Sequence, residues 1–145
     1  MGYVKIWLHV VWTTKNTEPF LTQEIRRDVF THIRENADLK GIYIDFINGY
    51  LDHVHCLISM RSDQSIDKIL TLLKGESSYW INKNRLFRNK FSWQEDYFAV
   101  SVSESAVNRV RDYTKNQEEH HKKKSFNDEY QEFMRKYKFD AFVLG

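Results

Sequence analysis

Leu51-Asp52-His53-Val54-His55-Cys56-Leu57-Ile58-Ser59-Met60 is the stretch whose reading decides the fold. It is aliphatic and β-branched, and the turn-forming residues Gly49 and Asp52 come just before it, so it reads as a strand from His53 to Met60. Residues two apart on a strand share a face, with Cβ atoms roughly 6–7 Å apart. Val54, Cys56, Ile58 and Met60 therefore form an apolar face fit for a core. His53 and His55 share the opposite face, from which two imidazoles can converge on one metal ion at nitrogen distances of about 2.0–2.1 Å.

The neighbouring elements follow from this strand. Ile42 to Asn48 precedes it across the turn 49–52 and reads as its antiparallel partner. Tyr3 to Thr13 reads as the first strand: Val4, Ile6, Leu8, Val10 and Trp12 take one face, and Lys5, Trp7 and His9 the other. Lys15 to Pro19 is a loop. Thr22 suits the N-cap of a helix to about Ala37, with Ile25, Val29, Ile33 and Ala37 inward, and Gly41 closes that region. Ser65 can cap a second helix whose stripe is Ile66, Ile69, Leu70, Leu73, Ser77, Trp80 and Ile81. Phe91 to Val102 is expected as the fourth strand. Ser103 or Ser105 opens a third helix to roughly His121, and Ser125 opens a last one with Phe126, Tyr130, Phe133, Met134 and Tyr137 on one side. The order βαββαβ followed by two helices predicts an α+β fold, a ferredoxin-like (RRM-like) antiparallel four-stranded sheet with extra C-terminal helices. Such a sheet carries helices on one face and offers the other to ligands.

The chain has 145 residues, a length that fits one domain with a sizeable core. We expect a single domain over 1–145, with 1–102 forming the sheet core and 103–145 the two terminal helices. Its net charge of +2 argues neither for nor against a polyanionic partner. Local charge says more: Lys83, Arg85, Arg88 and Lys90 lie within eight residues that hold no acid, and Lys122, Lys123 and Lys124 follow His120 and His121. Either run is a solvated loop or a phosphate-backbone contact. The single cysteine, Cys56, excludes an intrachain disulfide and falls on the apolar face. No apolar run approaches about 18 residues, and no signal peptide opens the chain, so a cytoplasmic protein with no membrane partner is expected.

Tyr113 and Gln117 lie four apart on the third helix and share a face, with His120 and His121 one turn on. Taken alone, Tyr113 is an aromatic continuing the Val107/Val110 stripe. Together with the histidine pair it resembles the single-tyrosine HUH endonucleases, in particular the small transposases of minimal bacterial insertion sequences and the REP-associated tyrosine transposases. The resemblance is carried in order by Asp52-His53-Val54-His55, by residues 74–80 (Lys-Gly-Glu-Ser-Ser-Tyr-Trp), by residues 93–103 (Trp-Gln-Glu-Asp-Tyr-Phe-Ala-Val-Ser-Val-Ser), and by Tyr113-Thr114-Lys115-Asn116-Gln117. Glu95-Asp96 departs from it, placing acid where related sequences often carry small or neutral residues.

The resemblance implies a transposase that cleaves and rejoins single-stranded DNA through a 5′-phosphotyrosine on Tyr113. It implies a divalent metal, Mg²⁺ or Mn²⁺, on His53, His55 and Gln117. It also implies a bacterial, DNA-associated protein that binds hairpins formed by palindromes, and a homodimer whose sites are completed in trans. Lys74, Lys83, Arg85 and Arg88 are the candidate backbone contacts. Asp52 is either an orienter of an imidazole or a turn carboxylate. His9 reads as a satisfied surface or sheet histidine rather than a ligand. His120 and His121 are substitute ligands, and Tyr130 and Tyr137 read as packing. A histidine-triad nucleotide hydrolase also uses a His-x-His strand, but it needs a third histidine where Leu57 stands. A non-catalytic RRM-like nucleic-acid-binding module would account for the basic loops and the aromatics without a metal, and a domesticated transposase relative would keep the chemistry without transposition.

Overall fold

A computed structural model describes residues 2–117, 125, 128–129 and 131–132. The elements are β1 (Ile6–Thr13), α1 (Gln23–Leu39), β2 (Tyr43–Gly49), β3 (His53–Met60), α2 (Ile66–Lys83), β4 (Phe98–Val102) and α3 (Val107–Lys115). The sheet runs β2-β3-β1-β4 with every neighbouring pair antiparallel, the ferredoxin-like order expected from βαββαβ.

The alternation along the strands sets the two faces. Leu8, Val10, Trp12, Ile44, Val54, Cys56 and Ile58 pack against Val29, Ile33 and Ala37 of α1 and Ile69, Leu70, Leu73 and Ile81 of α2. Ser65 caps α2 as expected, its hydroxyl accepting from Lys68 N–H at 3.2 Å. Thr22 precedes α1 in an extended conformation but makes no side-chain cap bond. Its carbonyl instead accepts from Arg26 N–H at 2.8 Å. The opposite face is not left open at β2 and β3. There α3 lies across it, and Val107 and Val110 pack on Trp7, Leu57 and Phe46.

Three boundaries differ from expectation. β1 starts at Ile6 rather than Tyr3, because its partners end there: Ile6 faces Met60, the last residue of β3, and Trp7 faces Val102, the last of β4. β4 starts at Phe98 rather than Phe91. Phe91 and Trp93 are buried beneath the sheet, and Trp93 makes only an isolated bridge to Thr14. Lys74 Nζ takes the carbonyls of Glu95 and Asp96, at 2.7 and 3.3 Å, which withdraws them from the ladder. α3 ends at Lys115, with Asn116 already off helical geometry. Neither serine caps it directly; both precede or enter a 3₁₀ turn over Glu104–Ala106. His120, His121, Phe126, Tyr130, Phe133, Met134 and Tyr137 lie outside the described residues. Ser125 does open a helical turn: its hydroxyl accepts from Asp128 N–H and its carbonyl from Glu129 N–H, each at 3.2 Å. Among the described residues, no helix is long and apolar enough to cross a membrane.

Candidate active site

The β2–β3 hairpin places the histidine pair. Gly49 closes it, and a Cβ there would stand 2.1 Å from the carbonyl oxygen of His53, so no larger residue fits. Tyr50 N–H donates to that same oxygen at 3.1 Å. His53 and His55 then begin β3 opposite Thr13 and Val11 of β1, and both are fully buried.

Each imidazole is held at Nδ1. His53 Nδ1 lies 2.8 Å from Asp52 Oδ1, and His55 Nδ1 lies 2.8 Å from His9 Nε2. Both Nε2 atoms thereby turn inward. His53 Nε2 lies 2.9 Å from Gln117 Oε1, and His55 Nε2 lies 2.8 Å from Glu129 Oε1. A neutral imidazole has one N–H. If Asp52 takes that of His53, Nε2 meets the Gln117 oxygen acceptor to acceptor, a conflict that a shared cation relieves. Ligand atoms of His53, His55 and Glu129 lie within 4.8 Å of one another, and all three residues are buried. Two imidazoles, a carboxylate and an amide oxygen form a donor set that fits a divalent cation.

Tyr113 joins this cluster from α3. Its ring stands edge-on to His55 and His9, with centroids 5.6 and 6.2 Å away. Burial pushes the phenol above its ordinary value, the negative charge of Glu129 pushes it further, and Gln117 opposes them. A cavity of about 430 Å³ lies beside the tyrosine, lined also by His9, Arg109 and Glu132. α3 is pinned in this position. Arg111 grips the Asp45 carboxylate at 2.6 and 2.8 Å, and Asn48 Nδ2 donates to the Lys115 carbonyl at 3.2 Å.

The fold thus brings together His53, His55, Tyr113 and Gln117, all within one chain. Two partners were not assigned from sequence. His9 is buried against His55 rather than on the surface; the β1–β3 register, with His9 opposite Leu57, is the signal that would have found it. Glu129 is buried as well, and nothing local separates it from Asp128 or Glu132.

The four basic candidates lie elsewhere, and none lines the cavity beside Tyr113. Lys74 is half-buried on its two carbonyls, and burial lowers its pKa. Lys83, Arg85 and Arg88 are exposed around the end of α2. Lys83 Nζ sits 5.7 Å over the Tyr79 ring, and Phe87 anchors this segment against Phe20 and Phe91.

Solved structures share this architecture. One, from Deinococcus radiodurans and described as a transposase, superposes with a TM-score of 0.66 at 24% identity, over 81% of this chain and 95% of that one. A REP-associated tyrosine transposase bound to a REP hairpin gives 0.57 at 14% identity, over 83% and 72%. At these identities the likeness is one of fold. In sequence, the model of the family described as "Transposase IS200 like" matches residues 3–117, and the chain belongs to that family. The ISDra2 transposase TnpA of Deinococcus radiodurans is 27% identical over 123 residues, covering 80% of this chain and 87% of the relative. The transposase for insertion sequence element IS200 of Salmonella typhimurium is 26% identical over 119 residues, covering 79% and 78%.

Proposed function

We propose that this transposase cuts and rejoins single-stranded DNA through Tyr113, with a divalent cation held by His53, His55 and the oxygens of Gln117 and Glu129. The observation that carries the proposal is the Glu129 carboxylate, which lies 2.8 Å from His55 Nε2 and whose negative charge acts on the Tyr113 phenol. It links the nucleophile to the donor set.

The phenol is held protonated, so it needs a base at the moment of attack. Glu129 is in place to take that proton, since a carboxylate has about four lone-pair sites and can face the imidazoles as well. The Tyr113 oxygen bonds to phosphorus, the bond to the 3′ oxygen breaks, and that oxygen leaves as a hydroxyl on gaining a proton. The products are a 5′-phosphotyrosine and a free 3′-OH, one phosphodiester exchanged for another, so the step can run backwards and join a new end. Bound Mg²⁺ or Mn²⁺ would polarise the scissile phosphate and stabilise charge building on its oxygens. His9 and Asp52 keep the two Nε2 atoms aimed.

Hairpin binding is proposed on the likeness to the hairpin-bound relative, with Lys74, Lys83, Arg85 and Arg88 as the backbone contacts. A homodimer that exchanges α3 would have to release the Arg111–Asp45 and Asn48–Lys115 contacts. The test is a covalent adduct on single-stranded DNA carrying a palindrome, with Mg²⁺ or Mn²⁺. The adduct should form with the wild type and disappear with chelator and in Tyr113→Phe. An adduct surviving Tyr113→Phe means another nucleophile. Hairpin binding with no cleavage by the wild type favours a non-catalytic binding module.

A further inference from the structure

We propose that the groove between α1 and the outer edge of β2 is a track for DNA phosphates, holding a single-stranded segment that flanks the cut. The inference rests on the reading of Tyr113 as a DNA nucleophile.

The groove encloses about 440 Å³, and its lining holds Arg26, Arg27 and Arg34 and no carboxylate. These arginines lie on one stripe of α1 with Gln23 and Thr31, at helical spacings of three and four. Arg27 and Arg34 are seven residues apart, about 10 Å along the axis. That spread matches an extended chain of phosphates better than a single small anion. Two of the guanidiniums are fixed before any ligand arrives. Arg26 is buried, donates to the Leu21 carbonyl at 3.1 Å and stacks 5.3 Å over the Tyr50 ring. Arg34 is exposed and donates one N–H to the Asp45 carbonyl at 2.7 Å. A guanidinium has five donors, so that bond leaves others for phosphate oxygens.

The far side of the groove carries little opposing charge. β2 has one acid, Asp45, and Arg111 holds its carboxylate with two short bonds. β2 is also an outer strand of the sheet, so one side of its backbone has no strand partner among the described residues. The groove ends at Asn48. That residue pairs with His55 in the β2–β3 register and donates to the Lys115 carbonyl on α3. A strand lying on the arginines therefore reaches the histidine pair and the tyrosine helix by a short path round the sheet edge.

The test uses the full chain with Tyr113→Phe as the parent, so that binding is read without cleavage. Two DNAs are compared: a hairpin with a single-stranded flank and the same hairpin without it. Arg27→Ala/Arg34→Ala is expected to lower the slope of log affinity against log salt on the flanked DNA by about 1.4, at about 0.7 per lost single-strand contact. The bare hairpin should show no change, and Arg27→Lys/Arg34→Lys should restore the slope because the charge is kept. An unchanged slope on the flanked DNA overturns the proposal, as does an equal fall on both DNAs. Adduct formation by the wild type is scored separately. Its failure overturns cleavage by Tyr113 and leaves the slopes to decide the groove, whereas a parent that binds neither DNA overturns both readings.

Discussion

The two faces of β3 are buried to the same extent by opposite means. Val54, Cys56 and Ile58 on one side, and His53, His55 and Leu57 on the other, are all 0% exposed. The first side is sealed by the hydrocarbon of α1 and α2. The second is sealed by α3 and by a polar set drawn from separate parts of the chain: Asp52 from the hairpin, His9 from β1, Gln117 from beyond α3 and Glu129 from the Ser125 turn. Burying imidazoles and a carboxylate costs free energy unless every group finds a partner. An apolar face there would be simpler to stabilise. The polar face is therefore the one the proposed chemistry would use, backed by a face that serves only the fold.

The sharpest way to break this contrast is His53→Ala together with His55→Ala. Metal assistance is worth several kcal/mol, so adduct formation should fall by about 10³-fold or more. A rate within tenfold of the wild type would remove the histidines from the chemistry. Ile58→Ala, from the other face, should do the reverse. It should cost about 2–5 kcal/mol in urea unfolding while the rate per folded molecule is kept. Smaller effects belong to the orienting groups. Asp52→Asn and His9→Phe should each weaken divalent-metal affinity by about 10–100-fold in direct titration. Unchanged affinity in His9→Phe would reduce the His9–His55 contact to packing.

The same contrast explains what could be read from the chain alone. Alternation exposed both faces of β3, and the order of strands and helices led to the sheet, because those signals are local and periodic. The spacing of Tyr113 and Gln117 put them on one helix face, and only the resemblance to the HUH endonucleases gave them expected roles. His9 was not legible, since its role depends on the β1–β3 register, which no local pattern encodes. Glu129 was not either, since an acid early in a capped turn ordinarily serves the helix dipole. The late start of β4 turns on one long-range contact, that of Lys74 with two backbone carbonyls.

The smallest predicted effect also places one group on each face. Burial pushes the Cys56 thiol above its ordinary 9.0, with Arg34 opposing only weakly. Burial pushes the Tyr113 phenol above its ordinary 10.0, and there the Glu129 charge adds to it. A raised folded-state value means that the folded chain keeps a proton the unfolded chain has lost. Each contribution is therefore complete below the ordinary value and declines as pH rises past it. Stability should begin to fall above about pH 9 through Cys56 and above about pH 10 through Tyr113. Cys56→Ala should flatten the first part of the alkaline unfolding curve and Tyr113→Phe the second, whatever each does to stability at neutral pH. The tyrosine effect should shrink further in Glu129→Gln, which removes the neighbouring charge, and the cysteine effect should not. A tyrosine effect as large in Glu129→Gln as in the wild type would mean that the carboxylate does not act on the hydroxyl, and Glu129 would lose its assignment as the proton acceptor.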